Sequence, residues 1–527
     1  MVIYNKSDSI LCNIARIAEE RIGEKRDITL KIDSSMDEYE GCINGDVVSA
    51  GSYSQLLDTL GRALRNPDLK EGTFCSAKRL SGMYFATHFR NYLHAAPLSE
   101  LFGYIDDLAL WGMNVLRIWF DLHHYRNMEE GKEDAERFAA IMRYAKSIGL
   151  KTAMTTLSNE AFKCSPIALR ADWTCGHDGY KINLSDHYHV EICPSVPGGI
   201  EKIKEYRGQM LEVFKDLDID YICIGPYDEG GCTCSECAPW GANGYIKTIE
   251  ALLPLYKEYF PNAEFAASFW QFGNYLDDYV EYKGFYNAID EGRLSDITYI
   301  EAEPEYNSYI YERPLKKLMF GFPEISMWRA NPWGGYGANP MPKRLGESWE
   351  KDGHKLEGGF PYCEGLYEDI NKVIMLRLYR DNQSPSETIK EYLNYEFGFS
   401  GEILEELTKA VFDMEETLPR QYNWPFDNMG DDVYIYRKDR NTHRYPMENP
   451  EKAESIEKTF KKANALLPEK TQNSVKWKML YLRALIDGEL VRNDFRRNDK
   501  ILGYFNELVH ASHLEEAGFA IKPDVYE

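Results

Sequence analysis

At 527 residues the chain exceeds one ordinary domain and implies roughly two to four folding units. Hydrophobic residues at 44% supply a large core, and a net charge of −24 would repel phosphate, so neither nucleic acid nor a membrane surface is an expected partner. Eleven cysteines, an odd number, argue against a disulfide framework, and "MVIYNKSDSILCNIARIAEER" lacks a basic start followed by an apolar core, so a cytoplasmic protein with reduced thiols is expected, although a chain whose signal had been cut would read the same.

Residues 1–78 read as a small α/β domain. "ILCNIARIAEERIG" puts Leu11, Ile14, Ala15 and Ala18 on one helical face, "ITLKID" alternates as a strand, and "SYSQLLDTLGRALRN" is a second amphipathic helix that stops near Asn66-Pro67. "DLKEGTFCSAKRL" reads as a connector.

From residue 79 to 375 short apolar runs alternate with helical stretches. The expected strands are 82–89, 114–120, 150–157, 221–226, 264–270, 296–303, 317–325 and 358–365. Eight strands mostly alternating with helices predict a (β/α)8 TIM barrel, an α/β fold. Residues 325–357, rich in Gly, Pro and Trp, are expected to form a long loop near the barrel mouth. Residues 376–527 read as an α-helical C-terminal domain whose long amphipathic helices offer either packing on the barrel or a homodimer contact. No apolar run approaches the roughly eighteen residues of a membrane span.

In such a barrel the loops after the strands' C-terminal ends carry the chemistry. "GPYDEGG" puts Asp228 and Glu229 just past the fourth strand, with Gly230 and Gly231 permitting close backbone approach. Two adjacent carboxylates push one another's pKa apart, and burial raises the one that stays neutral. A carboxyl protonated near neutral pH is the proton donor that glycosidic cleavage needs. An Asp-Glu dipeptide is also common by chance in so acidic a chain; its placement is what singles this one out.

The order of elements and motifs resembles glycoside hydrolase family 20, the β-N-acetylhexosaminidases, and their clan of relatives, over roughly residues 1–375. "SGMYFATHF" and "MNVLRIWFD" are similar to that family's first and second strands, "EICPSVPGGIEKIKEYRGQMLEVF" to its segment before strand four, and "IGPYDEGG" to its Gly-Gly-Asp-Glu motif. "GGFPYCEGLYEDINK" looks like the eighth-strand segment of distant relatives. The resemblance implies that Glu229 is the general acid/base. It implies that Asp228 orients a 2-acetamido group whose carbonyl oxygen attacks the anomeric carbon, giving retention without an enzyme nucleophile.

The chain departs from the family's pattern at the sugar-binding frame. Phe89, between His88 and Arg90, holds the position of the family's strand-one Arg. Arg117, Trp119 and Asp121 replace its His-x-His before Asp, and Gly225-Pro226-Tyr227 replaces the first Gly-Gly. Two alternatives therefore stay open. One is another glycosidase of the clan, α-glucuronidase-like with Arg90, Arg117 or Arg329 as a cationic clamp, or endo-acting on glycans. The other is a non-catalytic carbohydrate-binding barrel.

Several residues are candidate substrate contacts: Glu364 and Tyr367 after strand eight; Trp270, Trp328 and Trp333 as stacking surfaces; and His88, His124 and Asp121 as hydrogen-bonding groups. Glu364 and Glu368 also suit the start of a helix, where an acid favours the dipole, and the tryptophans suit packing under a long loop. His88, His123 and His124 lack the spacing of a catalytic metal site, and no cofactor is expected. Cys232, Cys234 and Cys237, with Cys193 at a distance, read by default as reduced thiols bracing the Asp-Glu loop, and structural zinc is the alternative. The expected partner is an oligosaccharide or glycoside substrate.

Overall fold

The structure, a computed structural model, describes the chain except residues 23–26, 89–90, 172–189, 228–229, 271, 273–278, 303–308, 311–312, 327–337, 364–367, 418–446, 448, 495–497 and 514–527. Its strands in chain order are β1 (Val2–Ile3), β2 (Ile28–Ile32), β3 (Glu40–Asn44), β4 (Val47–Ala50), β5 (Glu71–Cys75), β6 (Leu80–Phe85), β7 (Val115–Trp119), β8 (Lys151–Leu157), β9 (Tyr221–Gly225), β10 (Glu264–Ser268), β11 (Ile297–Glu301), β12 (Leu318–Phe320), β13 (Glu324–Ser326), β14 (Gly358–Gly359) and β15 (Tyr362–Cys363). An eight-stranded sheet has the order β12-β11-β10-β9-β8-β7-β6-β14. The Gly321–Gly359 bridge then joins its two ends, with Gly321 N–H donating to Gly358 O at 3.0 Å and Phe360 N–H to Gly321 O at 2.9 Å. The result is the closed eight-stranded barrel that the sequence implies.

Contacts group the chain into two compact units. One comprises Met1–Met113, Pro323–His354 and Pro361–Glu527; the other comprises Asn114–Phe322 and Lys355–Phe360.

In the first unit a five-stranded sheet has the order β1-β2-β4-β3-β5. The segment expected as a connector holds β5, which pairs antiparallel with β3; Gly72, Thr73 and Phe74 suit an edge strand whose sequence shows no strong apolar alternation. Helix Tyr53–Arg65 starts at Ser52, whose side chain accepts from Gln55 N–H, and buries Leu56, Leu57 and Leu60. Asp58 on that helix is buried among cations, 3.1 Å from Arg62 Nε and 3.2 Å from Arg377 Nη1. Burial pushes its carboxyl up, but Arg62, Arg380, Arg377 and Arg65 outweigh it and hold the group well below the usual carboxylate range.

Helix Pro342–Asp352 corrects the expectation of an unbroken loop over 325–357. Its polar sequence hides the helix, but Pro342 opens the first turn and Leu345 is buried. The Trp349 ring meets Tyr379 edge-on at 5.1 Å. Downstream, helices Asp369–Asp381, Pro385–Phe397, Gly401–Glu416, Glu451–Asn464, Val475–Arg492 and Asp499–Ala511 match the helical reading of this region. Ser384 and Glu387 form a capping box on the second of these, which ends at Gly398 with φ +77°.

In the second unit the pairings along β7-β8-β9-β10-β11-β12 are all parallel. These strands read as nearly unbroken apolar runs because both of their faces are covered. Helices Met128–Ser147, Gly199–Phe214, Gly244–Tyr259 and Val280–Asp290 connect them. No helix among the described residues is long and apolar enough to cross a membrane.

Candidate active site

The second unit brings the C-terminal ends of β7 to β12 together, and polar side chains collect there. Inside the barrel Arg117 of β7 pairs with Glu301 of β11 and donates from Nε to Thr155 Oγ1 of β8 at 2.7 Å. Its guanidinium carbon lies 4.8 Å from the Phe322 ring centroid and 5.2 Å from that of Phe360. Both ion-pair partners are buried, and burial pushes the neighbouring Cys223 thiol up to about 12. The Arg117 charge is already engaged by a buried carboxylate. Arg117 is one of the three arginines the uronate reading offered as a clamp; Arg90 and Arg329 lie outside the described residues.

Just beyond β7, Asp121 caps a short turn by accepting from His123 N–H at 3.2 Å, and its Oδ1 also meets His123 Nδ1. His124 Nε2 stands 3.7 Å from Oδ2. Just beyond β8, Glu160 accepts from Leu122 N–H at 3.0 Å and from Leu157 N–H at 2.9 Å, tying the two loops together. Arg207, from helix Gly199–Phe214, lies 3.8 Å from Glu160 and donates to Leu157 O at 2.5 Å. Burial pushes the Asp121 carboxyl up to about 7, against His124, the His123 backbone, Arg207 and Lys163. Burial also pushes Glu160 up to about 7, with Arg207 opposing and Asp121 adding to the rise.

These two carboxyls make a pH prediction. Their ordinary values are 3.8 and 4.5, so between there and about 7 the folded state holds protons that the unfolded chain has lost. The pair's contribution to stability is therefore full at low pH and falls as pH rises through that window, by up to about 1.4 kcal/mol per pH unit for each carboxyl. Urea unfolding of wild type and Asp121→Asn from about pH 4.5 to about 7.5 is expected to show the variant gaining on wild type as pH rises. Parallel curves would remove the assignment.

After β9, Tyr227 and Gly230 pair with each other. Gly230 N–H donates to Tyr227 O at 2.8 Å and Tyr227 N–H to Gly230 O at 3.3 Å. Asp228 and Glu229 fall between these two residues in sequence and themselves lie outside the described residues. Gly230 has φ +83°, which favours glycine. A Cβ on Gly231 would sit 1.9 Å from the Trp240 ring, so the second glycine answers a close approach. The Tyr227 ring stacks at a tilt against Trp119 at 5.5 Å and faces His123 at 6.2 Å. Tyr227 thus rests against Trp119 and the loop that carries Asp121.

Of the other expected site residues, Trp270 and His88 are among the described ones. Trp270 follows β10, half-buried, with its N–H donating to Ser268 Oγ at 3.1 Å. His88, in the first unit, has both ring nitrogens on tyrosine hydroxyls, Nδ1 with Tyr84 at 2.8 Å and Nε2 with Tyr362 at 3.3 Å. Trp328, Trp333, Glu364 and Tyr367 lie outside the described residues. Glu368 is buried, accepts from Asn339 N–H at 2.8 Å, and is pushed by burial up to about 8. Asp121, His123 and His124 could present three metal-binding atoms within 4.8 Å of one another, but two of those groups already bond each other. Glu160, Arg207 and Glu301 are absent from the sequence reading. Arg207 was detectable there: it shares a helical face with Ile203, Met210 and Phe214, and a cation on an apolar face demands a buried partner.

No protein-family profile and no curated protein matches the chain. Among solved structures, it is similar to a family 89 glycoside hydrolase from Clostridium perfringens in complex with 2-acetamido-1,2-dideoxynojirmycin: TM-score 0.60, 11% identity, covering 95% of this chain and 65% of that one. A variant of that enzyme, in complex with its substrate GlcNAc-alpha-1,4-galactose, aligns with TM-score 0.59 at 12% identity over 97% and 64% of the two chains. A family 20 exo β-N-acetylglucosaminidase from Vibrio harveyi aligns over 75% of this chain and 73% of its own, with TM-score 0.47 and 12% identity. The chain thus spans about two thirds of the length of the family 89 structures. The likeness is one of fold, and the fold is the barrel architecture of these glycoside hydrolases.

Proposed function

We propose that the protein is a glycoside hydrolase that cleaves a 2-acetamido-2-deoxy-hexoside with retention, using Glu229 as general acid/base and Asp228 to orient the substrate's acetamido group. The observation that carries the reading is the pair of hydrogen bonds between Tyr227 and Gly230, which flank Asp228 and Glu229 in sequence, just after β9 at the end of the barrel where this fold class does its chemistry. The fold likeness to an enzyme whose substrate is GlcNAc-alpha-1,4-galactose supports an acetamido sugar.

That same likeness raises a second reading, because it concerns an α-linked sugar. In a gluco-configured 2-acetamido sugar, the acetamido oxygen reaches the anomeric carbon only from the face opposite a β leaving group. An α leaving group lies on the acetamido's own side, so substrate assistance fails and an enzyme carboxylate must attack, about 5–5.5 Å from the acid.

One experiment decides between these. Aryl α- and β-glycosides of GlcNAc and GalNAc, with glucuronide and glucoside alongside, are offered to the wild-type protein, and the first-formed anomer is read by NMR. Cleavage of a β-acetamido sugar with retention is the expected result. Retention on the α anomer transfers the mechanism to a carboxylate nucleophile. Inversion, or cleavage of the glucuronide alone, overturns the proposal.

A further inference from the structure

Two loops of the second unit bring four cysteines to one point. Cys232, Cys234 and Cys237 follow β9, and Cys193 lies between β8 and helix Gly199–Phe214. The four sulfurs all lie within 4.8 Å of one another. Cys193 Sγ is 3.7 Å from Cys234 Sγ and 3.8 Å from Cys237 Sγ. A disulfide would need about 2.05 Å. Four thiolates around a tetrahedral ion with metal–sulfur bonds of about 2.3 Å stand about 3.8 Å apart along each edge. The two separations from Cys193 match that edge, and the remaining ones lie within 4.8 Å. Cys193, Cys232 and Cys237 are buried, whereas Cys75 and Cys164 elsewhere on the chain are exposed.

The surroundings suit a charged centre. Ser195 N–H donates toward Cys193 Sγ at 3.4 Å, and Ser195 Oγ lies 3.2 Å from Cys237 Sγ. Lys247 Nζ donates to the same Ser195 hydroxyl at 3.2 Å. Four thiolates and one divalent ion leave a net double negative charge, which these donors and the lysine offset. The loop is also pre-shaped: Cys237 N–H and Ala238 N–H both donate to Cys234 O, at 3.0 and 2.9 Å. Cys193 N–H is held by Leu169 O at 2.9 Å. Soft sulfur donors in tetrahedral array select zinc or iron among the available ions.

We propose that Cys193, Cys232, Cys234 and Cys237 bind one structural zinc ion. Four protein ligands leave no open position for substrate or water, so the ion shapes the loop rather than reacting. It fastens the loop after β8 to the loop after β9, beginning three residues past Glu229 (Cys232 in sequence). Each thiol loses its proton to solvent as its bond to zinc forms, and no redox step is involved.

The test is elemental analysis of the full-length purified protein, with Cys234→Ser and a Cys164→Ser control. Wild type and control are expected to carry about one zinc per chain, and Cys234→Ser under about a tenth of that. Stoichiometric zinc is expected to be released to a chromogenic chelator when a mercurial titrates the thiols. Should Cys234→Ser fail to fold, wild-type protein refolded with cobalt(II) replaces it; the intense visible bands of a tetrahedral cobalt tetrathiolate are the expected signature. Iron in place of zinc, metal-free protein with four free thiols here, disulfides among the four, or full zinc in Cys234→Ser would each overturn the assignment.

Discussion

Glu229→Gln is expected to lower turnover of an unactivated 2-acetamido-2-deoxy-hexoside by about 10²–10⁴-fold, the usual worth of a positioned general acid or base. The amide keeps the shape and the hydrogen-bonding capacity of the side chain but cannot donate a proton to the departing oxygen. The loss should therefore depend on the leaving group. A dinitrophenyl glycoside, whose phenolate departs without protonation, should lose far less at the bond-cleaving step than an alkyl or sugar aglycone. The alkaline limb of the kcat/KM profile, which reports the acid in the free enzyme, should disappear in the variant. Asp228→Asn should behave differently. If Asp228 orients the acetamido group, its loss raises the barrier for every leaving group alike, because the attacking oxygen is misplaced in each case. Equal losses across leaving groups in Glu229→Gln, or an unchanged rate, would remove the acid/base assignment while leaving the barrel and its loops as described.

The barrel was legible because its strands are covered on both faces. "NVLRIWF", "LKTAMTTL" and "YICIGP" each sit within one or two residues of β7, β8 and β9. Length and flanking turns then separate such runs from helices. The seventh and eighth strands were less legible: the run over 317–325 divides into β12 and β13, and that over 358–365 into β14 and β15, because Gly and Pro interrupt both. Helix Pro342–Asp352 was hidden by composition, since Leu345 and Trp349 are too few apolar residues to mark a stripe. In the candidate site, Asp121 and the Asp228-Glu229 pair stood out because they directly follow strands. Glu160 follows one just as closely, but its worth lies in bonds to Leu122 N–H and Leu157 N–H and in a charge 47 positions away in sequence, Arg207. No spacing rule reports such a pairing. The cysteine cluster was legible in its members, the C-x-C-x2-C run with Cys193 at a distance, and the fold brings the four sulfurs together.

Breaking the Arg117–Glu301 pair is expected to have the largest effect on stability. Arg117→Met leaves Glu301 buried without its cation and removes the guanidinium from against the Phe320, Phe322 and Phe360 rings. Removing one partner of a buried ion pair costs about 3–5 kcal/mol, most of it the penalty of stranding the other charge. Glu301→Leu should cost a similar amount, because it strands the buried Arg117 charge in the same way. The double variant Arg117→Met/Glu301→Leu is the informative one. Apolar groups of similar volume replace a pair whose mutual attraction mainly offsets its desolvation, so stability should return to within about 1–2 kcal/mol of wild type. Urea unfolding of all four proteins gives the coupling energy directly. Additive losses would mean that the two charges are solvated in the folded protein, and the barrel interior would then be wet. Activity separates a second role: a double variant that is stable but inactive would assign the pair to positioning β7 and β11 for the substrate, whereas a stable and active one would confine it to the core.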